Sequence, residues 1–79
     1  TMQIIEFTLA PGSDYIEIHQ LLKATSLCDS GGAGKAMVAD GLVRVGNEVE
    51  TRKTAKIRNG QIVTCGQVRV VVRQADKQD

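Results

Sequence analysis

Polar and apolar residues alternate first at the N-terminus. Ile5, Phe7 and Leu9 alternate with Glu6 and Thr8, so residues 3–9 read as a half-buried strand, ended by Pro11-Gly12. The period then changes. Ile18, Leu21, Leu22 and Thr25 recur at i, i+3, i+4 and i+7, the apolar stripe of a helix running to about Ala24. Asp14 is placed to cap it, with Glu17 completing an acidic variant of the capping box. A second helix is predicted from Ser30 as N-cap to Gly41, which stands where a left-handed residue ends a helix. Ala33, Ala36 and Met37 share one face, small enough for close helix approach, and Lys35 points away from it.

The remainder is β-rich. Leu42–Val45 and Glu48–Glu50 flank Gly46-Asn47 and read as a hairpin. A two-residue loop would put Val49 opposite Arg44. A bulged loop would pair Val45 with Val49, and is preferred because it keeps the valines on one face. Thr51–Arg58 is a polar, basic connector, Asn59-Gly60 a turn, and Ile62–Thr64 a strand. Gly66-Gln67 turns the chain again into Val68–Arg73, where valines alternate with Arg69 and Arg73. The expected order is β-α-α-β-β-β-β: an α+β fold, two helices on a small, mostly antiparallel sheet. Residues 1–73 form one domain and 74–79 a flexible tail.

Composition narrows the function. Seventy-nine residues allow one small core and make an elaborate enzyme pocket improbable. One Phe, one Tyr and no Trp make the core aliphatic and leave little for stacking on bases. No apolar run is long enough to span a membrane, and Thr1–Glu6 lacks a secretory n-region. Cys28 and Cys65 fit no metal spacing and read as free, mostly buried thiols in a reducing cytosol. A cytoplasmic location is therefore expected.

The net charge of +1 hides an asymmetry: residues 1–31 carry −3 and residues 32–75 carry +5. Arg52, Lys53, Lys56 and Arg58 fall within seven residues, with Arg44 just before them. Lys35 on the second helix could supply an opposing wall. A groove with two basic walls suits the backbone of a folded or bulged nucleic acid better than the DNA major groove, for which no long basic recognition helix is available.

Gly31-Gly32-Ala33-Gly34-Lys35 does not complete a phosphate-binding P-loop, because Asp29 stands at the first glycine position and Ala36 where Ser or Thr would hold magnesium. Two readings of these glycines stay open: amides exposed to a phosphate at a helix N-terminus, or close packing on the neighbouring helix. His19 reads as a surface or half-buried helical residue, Asp14 and Glu17 as caps, and Glu48 and Glu50 as counter-charges to nearby arginines. No acid, base and nucleophile converge, so no catalytic residue, metal or cofactor is expected.

Ser30-Gly31-Gly32-Ala33-Gly34-Lys35, the run Ala39–Lys53, Lys56 and Asn59–Val63 together resemble an S4 domain, more narrowly the small free-standing S4-like RNA-binding proteins of bacteria. The resemblance covers residues 14–72, with Gly46-Asn47 in place of the family's usual Asn-Gly order in the hairpin. It implies the αL motif, helix–short loop–helix followed by a hairpin. It also implies non-catalytic, ribosome-associated binding of structured ribosomal or transfer RNA by a monomer. The implied contacts are Ser30, Gly31, Gly32 and Lys35 at the second helix start and Arg44, Arg52, Lys53 and Lys56 from the hairpin onward, with Lys23 and Arg58 as additions. The competing reading is a protein-interaction module whose basic face meets an acidic protein.

Overall fold

The computed structural model describes residues 2–75. Strand β1 (Gln3–Leu9) opens the chain, followed by a short strand β2 (Tyr15–Glu17), then helices α1 (Ile18–Ala24) and α2 (Gly31–Ala39). Strands β3 (Val43–Val45), β4 (Glu48–Val49), β5 (Lys56–Arg58), β6 (Ile62–Cys65) and β7 (Val68–Gln74) complete it. Five strands form one sheet in the order β1-β7-β6-β3-β4, and β2 and β5 form a separate antiparallel pair. The α+β layout of two helices against a mostly antiparallel sheet is as expected, with β1 and β7 as its parallel pair. The last strand lies inside the sheet with both edges paired, so it offers no edge to a second copy.

Alternation sorts the large sheet. Val43, Val63, Val70 and Val72 face inward and are buried against Ile18, Leu21 and Leu22 of α1 and Val38 of α2. The opposite face carries the row Ile4, Arg69, Thr64, Arg44 and Val49 and is open to solvent. Ile57 of β5 and Ala55 close the core from the side of the small sheet.

Several details correct the sequence reading. Tyr15–Glu17 is a strand, because it finds a partner in Lys56–Arg58, which is itself a strand rather than connector. Glu17 occupies the N-cap position of α1 but makes no cap hydrogen bond, and Asp14 precedes β2. Of the three residues expected on the inner face of α2 only Met37 packs against the core, beside the buried Gly34 and Val38; Ala33 and Ala36 are exposed. The hairpin takes the two-residue loop, pairing Val45 with Glu48 and Arg44 with Val49. Gly46 has φ +64 and Asn47 does not share that region, as a turn with glycine at its first central position requires. Val49 is consequently 47% exposed and contributes nothing to the core. Gln74 is the last residue of β7 rather than tail, held by Asn59 Oδ1 at its N–H and donating from Nε2 to the Ser13 carbonyl. Residues 76–79 of the expected tail lie outside the described residues.

Both helices end alike. Leu27 N–H bonds to Leu22 O and Ser26 N–H to Lys23 O; Leu42 and Gly41 do the same with Met37 and Val38. These are Schellman closures with the left-handed residue at Ser26 (φ +64) and Gly41 (φ +77).

Candidate nucleic-acid interface

The first turn of α1 is the junction at which the basic segments meet. Ile18 N–H donates to Ala55 O at 2.8 Å, tying the end of the 51–55 connector to that turn. Lys56 pairs directly with Glu17 in the small sheet. On the other side α2 lies very close: a Cβ on Gly34 would sit 2.9 Å from His19 O, and one on Gly31 would sit 3.6 Å from His19 Nδ1. The connector and the start of α2 thus both abut Glu17–His19, although 20 residues and a hairpin separate them in sequence.

His19 is more enclosed than sequence alone suggests, only 8% exposed. Its Nε2 lies 2.8 Å from Glu17 Oε1. Nδ1 is buried and has no hydrogen-bond partner among the described residues. The imidazole works as a wedge under α2, and its partner Glu17 is the carboxylate expected to cap α1.

At the start of α2, Ser30 caps the helix and its Oγ accepts from Ala33 N–H at 3.1 Å. Gly31 and Gly32 form the first turn, and Lys35 stands exposed one turn on. Unpaired first-turn amides without side-chain cover carry the partial positive charge of the helix end. The glycine run divides: Gly34 serves close packing, while Gly32 has only Ser30 Oγ, at 3.9 Å, near its Cβ position.

In the connector, Arg52 donates from Nε and a terminal nitrogen to the two oxygens of Glu50, at 3.1 and 3.0 Å, and from its backbone N–H at 2.9 Å. These bonds hold the Glu50 carboxyl below the usual carboxylate range, the Arg52 side chain first among the causes. Arg52 is raised in turn. The Glu50 side chain is 16% exposed and that of Arg52 79%, so the guanidinium is aimed outward from an anchored base. Glu50 is the counter-charge expected from the sequence. Lys53 is exposed beside it, and Arg52, Thr54, Ala55 and Lys56 line a shallow depression of about 370 Å³.

Lys56 and Arg58 project from the outer face of β5, on either side of the buried Ile57. Both reach Tyr15, with Lys56 Nζ 5.0 Å and Arg58 Cζ 5.6 Å from the ring centroid. Cation–π contacts of this length favour the ordered arrangement by about 0.5–1 kcal/mol each at exposed sites. Sequence reasoning misses Tyr15, because a single tyrosine before an apolar stripe looks like the lead-in to a helix.

Two of the expected residues stand apart. Arg44 projects from the sheet face opposite the helices, in the same row as Arg69, and donates only a long 3.5 Å bond to Asn47 O. Its nearness in sequence to Arg52 does not put it on the same face. Lys23 is exposed in the last turn of α1, at the end away from the junction. The two cysteines are free and half-buried, and burial pushes the Cys65 thiol up. No group of three or more His, Cys, Asp or Glu suited to a metal occurs among the described residues, and no helix there is long and apolar enough to cross a membrane.

Comparison with known proteins agrees with this architecture. The chain is 42% identical over 50 residues to YbcJ of Escherichia coli (strain K12), spanning 63% of this chain and 71% of that protein. YbcJ of Shigella flexneri matches at the same identity over the same share of each chain. The solution structure of YbcJ from E. coli, which reveals an αL motif involved in RNA-binding, superposes with a TM-score of 0.58 and 36% identity, covering 90% of this chain and 89% of that one. The family profile described as S4 domain matches residues 9–73, nearly the whole described chain, and on this evidence the protein belongs to the S4 domain family.

Proposed function

We propose that this protein binds structured RNA, of the ribosomal or transfer RNA class, without catalysing a reaction. The binding surface is the start of α2 together with the connector and β5. One observation carries the reading: the first turn of α1 holds both basic segments, through Ala55 O on Ile18 N–H on one side and Gly34 against His19 O on the other. Ser30, Gly31, Gly32 and Lys35 then present one wall, and Arg52, Lys53, Lys56 and Arg58 the other. The likeness to a structure with an αL motif involved in RNA-binding supports the same partner. Lys23 is a peripheral contact. Arg44 lies outside the surface, being on the far face of the sheet. The protein works as a cytoplasmic, ribosome-associated monomer.

Four to six phosphate contacts give a slope of log affinity on log salt of roughly −3 to −5. Filter binding of bacterial ribosomal RNA to the triple variant Lys35→Ala, Arg52→Ala, Lys53→Ala tests the site. All three residues are exposed, so the fold survives. Affinity is expected to fall and the slope to flatten by about 2–3, while Arg44→Ala changes little. Retained affinity in the triple variant refutes the assignment.

A further inference from the structure

The Tyr15 ring is shared between two surroundings. On the side of β5 it meets Lys56 and Arg58. It also lines an open cleft of about 390 Å³ whose other walls include Phe7, Ser13, Glu17 and Gln20. That size lies at the low end of small-ligand clefts, about 300–1,000 Å³. β2 pairs only with β5, so Tyr15 stands at the boundary between the basic strand and the cleft formed with the β1–β2 turn and α1. Tyr15 is 39% exposed. Among the described residues, the side chains of Ser13 and Gln20 make no hydrogen bond within the chain, leaving a hydroxyl and a carboxamide free at the rim.

We infer that this cleft takes one unpaired nucleobase of a bound RNA, stacked on Tyr15, while Lys56 and Arg58 hold the adjoining phosphates. The inference rests on the RNA-binding reading above and adds to it a point of base contact. An aromatic face stacks on any base, and the cations beside it match the backbone charge that must accompany a base into the cleft. The Gln20 carboxamide can donate to and accept from a base edge, which gives the cleft a means of preferring one base. A fully paired duplex keeps its bases stacked inside, so the cleft selects RNA with a bulge, loop or free end.

The protein has one tyrosine, so its ring signals in an NMR spectrum of the whole chain are unambiguous. Octaadenylate is titrated in parallel with inorganic polyphosphate of eight units, which supplies charge without bases. The Tyr15 ring protons are expected to move upfield with octaadenylate and to stay in place with polyphosphate. Tyr15→Leu is expected to weaken octaadenylate binding roughly 5- to 100-fold, the loss of one stacked base. Tyr15→Phe keeps that affinity within about twofold, since the ring carries the contact, and Tyr15→Leu weakens polyphosphate binding far less than it weakens octaadenylate binding. Equal ring shifts with both ligands, or undiminished octaadenylate binding by Tyr15→Leu, overturns the inference. Should Tyr15→Leu fail to fold, the spectra of the unaltered chain decide alone. Ribosomal RNA binding that persists without any Tyr15 response removes the cleft and leaves the RNA-binding reading standing; a chain that binds neither octaadenylate nor ribosomal RNA loses both.

Discussion

Adding one methyl group at Gly34 tests the contact on which the shape of the junction depends. The Cβ of Gly34→Ala would lie 2.9 Å from His19 O, 3.3 Å from His19 Cα and 3.2 Å from Cys28 Sγ. The first two atoms are backbone and cannot rotate aside, so the helices must separate. Overpacking of this kind costs about 1–3 kcal/mol. Alanine recovers about 0.8–1.0 kcal/mol of helix propensity relative to glycine. The net loss is up to about 2 kcal/mol, which lowers the melting temperature of a domain this size by up to roughly 16 °C. Gly32→Ala is the control: its Cβ meets only Ser30 Oγ at 3.9 Å, so it is expected to be neutral or to gain up to about 1 kcal/mol. Urea titrations of the three chains, followed by far-UV circular dichroism, measure both effects. If Gly34→Ala is as stable as Gly32→Ala, which shares the propensity gain without the clash, the close approach of α1 and α2 is wrong, and with it the account of how the two basic walls are held together.

Other substitutions separate stability from binding. Ser26→Gly relieves a left-handed residue (φ +64) in the Schellman closure of α1 and is expected to add about 0.5–1 kcal/mol, seen as a higher melting temperature; no gain refutes the strain. Ser30→Ala loses the cap to Ala33 N–H and about 1 kcal/mol, whereas Ser30→Asp keeps a cap but sets a carboxylate beside the proposed phosphate site. Melting should therefore fall only for alanine, and filter binding should fall further for aspartate; equal affinities argue against a phosphate at that helix end. Glu50 has a lowered folded-state pKa, so its contribution to stability is complete above the ordinary carboxylate value of about 4.3 and is lost as pH falls through the lower folded value. The stability gap between the unaltered chain and Glu50→Gln should accordingly be widest near neutral pH and close in strong acid. A gap independent of pH would show that the Arg52 pair does not act through ionisation.

The longer elements are legible in the sequence because each carries its own period or its own punctuation. Strand β1 shows alternation from Ile5 to Leu9, and α2 is bracketed by Ser30 and Gly41, both of which do what their chemistry suggests. The small sheet is illegible for the converse reason. Three residues are too few to display a period, and the partner of Tyr15–Glu17 lies some 40 residues away at Lys56–Arg58. Asp14 and Glu17 moreover sit at capping-box spacing, so local chemistry argues for a helix that a long-range pairing overrules. The hairpin register turns on what one valine does. Val49 looks like a core residue by type, but Gly46 adopts the positive φ that closes a two-residue loop, and Val49 falls opposite Arg44 on the open face. In α2, small residues on all sides hide which face turns inward until the contact of Gly34 with His19 is known.

The same division separates the site from the core. The large sheet and the apolar faces of the helices supply the buried side chains, Val43, Val63, Val70, Leu21 and Leu22 among them, and none of these is a candidate contact. The candidate contacts sit on the exposed start of α2, a connector without regular structure and a three-residue strand. Exposed cations can therefore be exchanged at little cost to folding, whereas the relation of one wall to the other is set by groups outside the set of candidate contacts: Ala55 O, the Glu17–His19 pair and the missing side chain of Gly34. In the proposed mode of RNA binding, affinity comes from the cations and geometry from the junction. Removing a lysine should reduce the salt dependence by about one phosphate contact, and disturbing the junction should weaken binding while every cation is still present.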